Sequence, residues 1–225
     1  MDKITIIIPV YNEEKALPKL LNNIDKYKDK AEIIFVDGGS TDNTLDLIGD
    51  TYKVVHSDRG RAVQMNRGAK ESTGDILLFL HADSLLPDNA LDELREVLKQ
   101  YQVGCFGIRF DDVNLWMMYC QIVSNRRARV HRIVFGDQGM FLRRELFMEM
   151  GMFKEIPLME DYQFSLDMRE KNIRIGMTKH RIITSRRRYK RGKEQAVMNH
   201  MRYLRKLYRE GEDINKIAAM YENIR

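Results

Sequence analysis

The sequence of 225 residues has few cysteines, few prolines and no long apolar run. Cys105 and Cys120 lie too far apart for a Cys-x-x-Cys redox or zinc pair, so both are expected to be reduced. The longest apolar stretches, Ile4–Val10 and Ile76–Leu80, are far shorter than the ~18 residues of a membrane-spanning helix. With 44% hydrophobic residues, 14 glycines and 4 prolines, the chain is neither low-complexity nor disordered.

We expect no export signal at the N-terminus. Met1-Asp2-Lys3 leads straight into a strand pattern, without a charged and then apolar segment, which predicts a cytoplasmic protein. The length suits one α/β domain with a full core, so we predict a single domain over residues 1–225.

The net charge of +5 is divided unevenly along the chain. Residues 1–112 carry 14 basic and 20 acidic side chains, a net charge of −6, whereas residues 113–225 carry 24 and 13, a net charge of +11. A basic second half is typical of contact with an anion, and nucleic acid, a phosphorylated small molecule and a lipid headgroup all fit. A solvated basic surface fits as well, so charge alone decides nothing.

The first half alternates strand and helix patterns. The β-branched run Ile4–Val10 is typical of a strand buried on both faces, and Leu17–Ile24 has the spacing of an amphipathic helix. Further strands are predicted over Glu32–Val36, Tyr52–His56 and Asp75–Leu80, and helices over Gly60–Ser72 and Pro87–Gln100. This alternation predicts an α/β fold with a mostly parallel central sheet flanked by helices.

The pattern changes after residue 100. We predict strands over Gly104–Phe110, Met140–Leu142, Ile173–Ile175 and Arg181–Thr184. We predict helices over Asn114–Val130, Glu160–Lys171, Glu194–Tyr208 and Asp213–Asn223, the last two being C-terminal helices.

Polar residues follow three of the predicted strands. They are Pro9-Val10-Tyr11-Asn12-Glu13, Asp37-Gly38-Gly39-Ser40 and His81-Ala82-Asp83. In open parallel sheets, ligands bind beyond the carboxyl ends of the strands. An aromatic ring can stack on a base, one carboxylate can accept from a base or ribose, and another can hold a divalent metal against a diphosphate. These strand ends therefore predict a nucleotide-diphosphate site.

In their order, these motifs resemble the family-two glycosyltransferases of the GT-A fold. The resemblance runs from about residue 3 to 190 and includes Asp-Gly-Gly-Ser-Thr-Asp-Asn-Thr, Gly-Arg-Ala-x-Gln-Met-Asn, Leu-His-Ala-Asp, Gly-Asp-Gln-Gly and Glu160-Asp161. It is closest to the small soluble branch of the family. It implies an inverting, metal-dependent enzyme that moves a sugar from a nucleotide-diphosphate donor to a hydroxyl acceptor. Residues 1–112 would bind the donor, 113–190 the acceptor and the catalytic groups, and 191–225 would form basic C-terminal helices.

The resemblance also implies which residues bind the nucleotide sugar: Pro9, Tyr11, Glu13, Asp37, Arg61, Asn66, His81 and Asp83. Asp83 would bind Mn²⁺ or Mg²⁺ at the diphosphate. Asp37 would accept from the base, which favours a UDP-sugar without excluding a GDP-sugar. His81 replaces the first Asp of the family's Asp-x-Asp element, so a ribose or metal contact and a purely structural role both stay open.

In the second half, the resemblance implies that Asp161 is the general base, with Glu160 orienting the acceptor. Local sequence alone favours a simpler interpretation, two acids that begin a helix, and only the ordered motifs upstream reverse that preference. Asp137 and Gln138 would lie in the acceptor pocket, although their flanking glycines also suit a tight turn.

The stretch Arg186-Arg187-Arg188 would supply guanidinium donors to the diphosphate, with Arg187 and Arg188 as the candidates. The alternative is that this stretch begins a solvated basic run.

Two predicted helices have faces that could contact a membrane surface. Leu115–Val123 is apolar and precedes Arg126-Arg127-Ala128-Arg129, and the helix near Glu194–Tyr208 is basic and amphipathic. Such faces either lie on an anionic membrane or pack on the domain. We therefore expect a lipid-linked acceptor and peripheral contact with the inner face of the membrane as one alternative. Aromatics are not interleaved with the basic run, which argues against nucleic acid. The rival is a non-catalytic basic binding module on the same scaffold.

Overall fold

The computed structural model describes residues 2–187, 189 and 192–222. They form a central sheet with helices on both faces. The strands are β1 (Ile4–Val10), β2 (Glu32–Asp37), β3 (Lys53–His56), β4 (Ile76–Phe79), β5 (Ser84–Leu85), β6 (Val103–Phe110), β7 (Phe141–Arg143) and β8 (Ile175–Thr184). The helices are α1 (Leu17–Ile24), α2 (Thr44–Ile48), α3 (Arg61–Glu71), α4 (Ala90–Leu98), α5 (Leu115–Arg126), α6 (Arg144–Glu149), α7 (Glu160–Glu170), α8 (Glu194–Arg209) and α9 (Ile214–Glu222).

Within the described residues, the sheet has eight strands in the order β3-β2-β1-β4-β7-β6-β8-β5. The strands β3, β2, β1 and β4 are mutually parallel, which places their carboxyl ends at one edge. β7 runs antiparallel to both β4 and β6, and β8 is parallel to β6. The predicted parallel arrangement therefore holds for the first half, and the second half makes the sheet mixed.

The core lies on both faces of this sheet. Helices α1 and α4 cover one face, and α3, α6 and α7 cover the other. Gly68 lets α3 lie directly on the strands, because a Cβ there would come within 2.5 Å of Ile7 Cγ2 and 2.9 Å of Val36 Cγ2. A third, smaller cluster joins α7 to α8 and α9 through Tyr162, Leu204 and Ile217.

The helix predicted over Asn114–Val130 is wrong at its C-terminal end. Asn114 caps α5, since its side chain accepts from the Met117 N–H at 2.9 Å, but the α-helix ends at Arg126. A π-helical turn over Arg127–His131 follows, and Arg132 closes it with a left-handed φ of 54°. The turn changes which way successive side chains face, so neighbouring arginines diverge.

The strands predicted over Ile173–Ile175 and Arg181–Thr184 are replaced by the single strand β8. The middle of β8 was not predicted as a strand because Lys179, His180 and Arg181 are three consecutive polar residues. All three are exposed, so buried and exposed residues do not alternate there. The register with β6 shifts at the same place, between Cys105 and Gly107. The short elements α6 and β5 were not predicted.

Candidate functional site

A cleft of about 720 Å³ opens at the carboxyl ends of β1 and β4. Its walls come from the residues after these strands, from the start of α3, from the turn at 136–138 and from the segment after β8. Eight of the predicted site residues line it: Pro9, Tyr11, Glu13, Arg61, His81, Asp83, Asp137 and Arg187. The structure therefore brings residues from distant parts of the sequence to one site.

The loops after β1 and β2 are locked together by hydrogen bonds. The Asn12 N–H donates to Ser40 Oγ at 3.0 Å, and the Thr41 N–H donates to Asn12 Oδ1 at 2.8 Å. Asn12 has a left-handed φ of 53°, which asparagine tolerates better than most residues. The Glu13 N–H donates to Thr44 Oγ1 at 2.8 Å. These contacts fix the backbone that carries Tyr11 and Glu13 into the cleft.

Gln64 joins the same two strand ends from below. It is buried in α3, and its Nε2 donates to Val10 O at 2.7 Å and to Val36 O at 2.8 Å. The amide lies against Gly38, where a Cβ would come within 3.1 Å of it. The sequence analysis assigned Gln64 no role. A glutamine on the buried face of a helix needs hydrogen-bond partners, and this requirement could have indicated its contact with the strand ends.

Asp37 and Asn66 lie behind the cleft wall rather than on it. Asp37 is almost fully buried, and its carboxylate accepts from the Gly39 and Ser40 N–H groups at 3.0 Å. Asn66 exchanges two hydrogen bonds with the backbone of Phe153, at 2.8 and 3.0 Å. Both side chains shape the loops beside the cleft, and their contact with a nucleotide stays a prediction.

The Tyr11 ring at the cleft wall packs against the side chain of Arg59. The guanidinium carbon of Arg59 lies 4.3 Å from the ring centre. This is a cation–π distance, and a nucleobase that stacked on the same ring face would have to displace Arg59. Arg59 lines the cleft and was not predicted as a site residue.

Arg187 connects two carboxylates across the cleft. Its Nη1 and Nη2 bond the two Glu13 oxygens at 2.7 and 2.8 Å, and its Nε lies 2.9 Å from Asp83 Oδ2. The bidentate contact with Glu13, reinforced by the charge of Asp83, raises the pKa of Arg187 above its usual value. Glu13 and Asp83 are therefore close enough to share one cation.

Glu13 and Asp83 are of the ligand type that hard divalent metals prefer. The described residues contain no group of three or more His, Cys, Asp or Glu side chains placed to hold a metal. Mg²⁺ and similar hard cations, however, often bind through one or two carboxylates together with substrate phosphates. Asp83 and Glu13 supply that kind of ligand at the cleft.

Arg61 and Glu160 form a second ion pair at the cleft wall. Arg61 Nε lies 2.8 Å from Glu160 Oε1, and the Glu160 side chain is nearly fully buried. The charge of Glu160 raises the pKa of Arg61 above its usual value. Glu160 does not line the cleft, so its contact is with Arg61, which does.

Asp161 lies at the start of α7, one layer behind Asp137. Its carboxylate accepts from the Gly136 N–H at 2.7 Å and from the Tyr162 N–H at 2.6 Å. Asp161 thereby fixes the position of the Gly136–Gln138 turn, in which Asp137 lines the cleft.

Gln138 is fully buried and does not reach the cleft. Its Oε1 accepts from Arg127 Nη2 at 2.9 Å, and the Arg127 guanidinium lies 3.8 Å from the Phe135 ring centre. Burial lowers the pKa of Arg127 to about 10, and the nearby Asp137 opposes this shift. The sequence placed Arg127 in a basic helix end and left open whether that end packs on the domain; the π-helical turn brings Arg127 inside.

Arg186 is a structural residue rather than a cleft residue. It is buried and pairs with Asp112 at 3.1 Å and with Glu194 at 2.9 Å, tying β6, α5 and α8 together. Arg188, the other predicted diphosphate contact, lies outside the described residues.

Comparison with known proteins gives the family. Residues 5–151 match the model of Glycosyl transferase family 2. The chain belongs to this family. A curated relative, the dolichol-phosphate mannosyltransferase of Pyrococcus furiosus, is 30% identical over 143 residues, which cover 58% of this chain and 41% of the relative. The chain thus spans less than half the length of that protein.

Solved structures of similar fold include a mannosyltransferase from Pyrobaculum calidifontis in complex with GDP-Man and Mn²⁺. It has a TM-score of 0.65 and 22% identity, over 99% of this chain and 70% of that one. The TarS 1–349 fragment of S. aureus in complex with UDP-GlcNAc has a TM-score of 0.64 and 21% identity, over 82% and 59%. These similarities confirm the predicted GT-A fold. No helix among the described residues combines the length and apolar character needed to cross a bilayer.

Proposed function

We propose that this family 2 chain transfers a sugar from a nucleotide-diphosphate donor to an acceptor hydroxyl, with inversion at the anomeric carbon. The observation that carries the proposal is the meeting of Tyr11, Glu13, Asp83 and Arg187 in one cleft. An aromatic ring, two carboxylates and a guanidinium are the groups that a base, a metal–diphosphate and its negative charge require.

Asp83 and Glu13 would hold a divalent metal. Mn²⁺ fits the proposal because the related Pyrobaculum structure contains it, and Mg²⁺ favours the same oxygen ligands. When bound, the metal neutralises charge on the diphosphate. Arg187 would then turn from the carboxylates to the diphosphate oxygens, where its donors gain strength as the leaving group develops charge.

We propose a uridine nucleotide as the donor and a lipid-linked molecule as the acceptor. Similar structures hold UDP-GlcNAc and GDP-Man, and we favour uridine because Asp37 lies at the end of β2, beside the wall that carries Tyr11. A lipid-linked acceptor is favoured because the Pyrococcus relative is named for dolichol phosphate.

Asp161 remains our predicted base. To take a proton from an acceptor, its Oδ2 would have to release the Gly136 N–H that it now binds at 2.7 Å. Contacts of this kind often rearrange when substrate binds. Asp137, which lines the cleft beside that turn, is the second candidate.

A thermal-shift panel tests the proposal. Purified protein is mixed with Mn²⁺ and UDP-, GDP- or dTDP-sugars, and a true donor should stabilise it by about 2.7 kcal/mol at a hundredfold excess over its dissociation constant. Asp83→Ala should abolish the metal-dependent part of the shift, and the exposed Asp50→Ala is the matched control. No response to any nucleotide sugar, together with salt-sensitive binding to polynucleotide, would favour a basic binding module instead.

A further inference from the structure

Helix α5 exposes a large apolar face. In the part of the chain that the structure describes, Leu115 is 85% exposed, Ile122 61% and Trp116 41%, and Met118 and Tyr119 are also exposed. Leu115, Met118, Tyr119 and Ile122 follow helical spacing and share one side of α5. The opposite side is apolar too, because Met117 and Cys120 are buried in the core. A helix that is apolar all round is normally buried, so the outer face of α5 is missing a partner.

The surroundings of this face are mostly basic, and the nearby acids Asp111, Asp112 and Glu194 lie at the start of α5. Residues 113–136 and 195–209 include no Asp or Glu. Arg126 and Arg129 are exposed just beyond the apolar stripe, on either side of the inward-facing Arg127. Helix α8 packs beside α5 through Met198 and Cys120, and it exposes Arg202 and Tyr203. Aromatic and aliphatic side chains therefore lie next to exposed positive charge.

We propose that the outer face of α5, together with Arg126, Arg129 and the exposed side of α8, docks on an anionic lipid bilayer. The apolar stripe would enter the boundary between headgroups and acyl chains, and the arginines would contact lipid phosphates. Tryptophan and tyrosine are the side chains enriched at that boundary, and Trp116 is the chain's one tryptophan.

The docking face lies beside the cleft but is separate from its chemistry. Phe110, which lines the cleft, ends β6 just before α5 begins at Leu115. The start of α5 is held firmly, because Asn114 Nδ2 donates to Glu194 Oε1 at 2.9 Å and Arg186 pairs with the same oxygen. A bilayer on α5 would therefore lie near the cleft mouth. This surface can be tested by binding alone, whatever reaction the cleft performs.

The test uses Trp116 as its own reporter. Vesicles of phosphatidylcholine mixed with phosphatidylglycerol are added to the protein, and pure phosphatidylcholine vesicles serve as the neutral comparison. We expect a blue shift of the Trp116 emission with the anionic vesicles, quenching by brominated acyl chains, and loss of binding at high salt. The Leu115→Ser/Ile122→Ser double variant should bind at least about tenfold more weakly. The Arg126→Gln/Arg129→Gln double variant should lose about fivefold for each charge.

Leu47→Ser is the matched control, since Leu47 is 40% exposed on α2. It should bind vesicles like the wild type, and thermal melting of all variants verifies that they are folded. Absence of vesicle binding by the folded wild type overturns the proposal, as does binding that the α5 variants leave unchanged. A concentration-dependent dimer that Leu115→Ser/Ile122→Ser dissociates, without lipid binding, would show that a second copy covers this face instead.

Discussion

Arg187 is bonded to Asp83, the residue predicted to hold the metal, with Nε 2.9 Å from Oδ2. The same guanidinium bonds both oxygens of Glu13. Its single positive charge therefore offsets half of the negative charge of the two carboxylates that a divalent cation would use. Because an arginine keeps its charge at any ordinary pH, a metal at this site would have to displace the guanidinium, since deprotonation would not release it.

Removing this guanidinium should strengthen metal binding in the absence of donor. We expect Arg187→Ala to raise the Mn²⁺ affinity by roughly fivefold, as suits the loss of a partly exposed ion pair. Turnover with a nucleotide sugar should fall by roughly a hundredfold, because the diphosphate loses a donor in the transition state. Electron paramagnetic resonance of free Mn²⁺ measures the first effect and release of nucleoside diphosphate the second. Arg174→Ala, on an exposed residue, should change neither. Weaker Mn²⁺ binding by Arg187→Ala would contradict competition between the two cations.

The cleft was predictable where it depends on the carboxyl ends of strands. Tyr11, Glu13 and Asp83 follow β1 and β4, and those strands are adjacent and parallel. Their residues therefore had to meet at one edge of the sheet. The GT-A fold follows from the same alternation of strands and helices together with the ordered motifs.

The parts that were missed depend on which way a side chain faces. Arg127 stands in a run of arginines that looks like a solvated tail, and only the π-helical turn brings its guanidinium to Gln138. Gln64 is a mid-helix residue whose role depends on how α3 crosses the ends of β1 and β2. Such orientations follow from tertiary packing, which local sequence does not encode.

Gln64 should contribute to both stability and donor binding. Leucine has no N–H, so Gln64→Leu removes the two hydrogen bonds that Gln64 Nε2 donates to the carbonyl oxygens of Val10 and Val36. Both carbonyls would then lie buried against an apolar side chain. We expect a loss of about 1–3 kcal/mol in the free energy of unfolding, measured by urea denaturation. Donor binding should weaken as well, because the loop that carries Tyr11 loses its support. Gln195→Leu, at an exposed position of α8, is the control. Unchanged stability of Gln64→Leu would show that the hydrogen bonds from Gln64 to the ends of β1 and β2 do not stabilise the fold.

The general base can be identified by comparing two conservative variants. If Asp161 takes the proton, Asp161→Asn should keep donor binding and lose turnover by about 10²–10⁴-fold. Asp137→Asn should then have the smaller effect on kcat. The reverse order would assign the base to Asp137 and leave Asp161 as the residue that holds the Gly136 turn. Single-turnover kinetics with saturating donor separate the chemical step from binding.

Full turnover by Asp161→Asn, with normal donor affinity, would remove Asp161 from the reaction. Stability must be measured in parallel, because the Asp161 carboxylate also accepts two backbone N–H groups. The Gly136 N–H bonds Oδ2 and the Tyr162 N–H bonds Oδ1, so asparagine, with one amide oxygen, keeps only one of these two acceptors, and we expect a drop of about 1–3 kcal/mol in the free energy of unfolding. Asp167→Asn, on the same helix α7, serves as the matched control for the loss of a negative charge.

Both cysteines should be inert in the native protein. Burial raises the pKa of Cys105 to about 12, and it also raises the pKa of Cys120. At pH 8 the reactive thiolate is therefore much scarcer than in an unfolded chain, where the pKa is about 8.5. Ellman's reagent should detect almost no thiol in the native protein and two after denaturation in guanidinium chloride. Cys120→Ser should reduce the denatured count to one, and rapid reaction of the native wild type would contradict the burial of both side chains.

The same shifts predict how stability depends on alkaline pH. The folded state raises the pKa of Cys105, so folding favours the neutral thiol, and this contribution is fully present below the unfolded pKa. It is lost as the pH rises from about 9 towards 12, because the unfolded chain releases the proton first. Cys105→Ala should therefore flatten the decline in unfolding free energy over that window, in urea melts at successive pH values. Cys120→Ala should flatten it less, since Cys120 is closer to the surface and the charge of Arg202 lowers its pKa in opposition to burial.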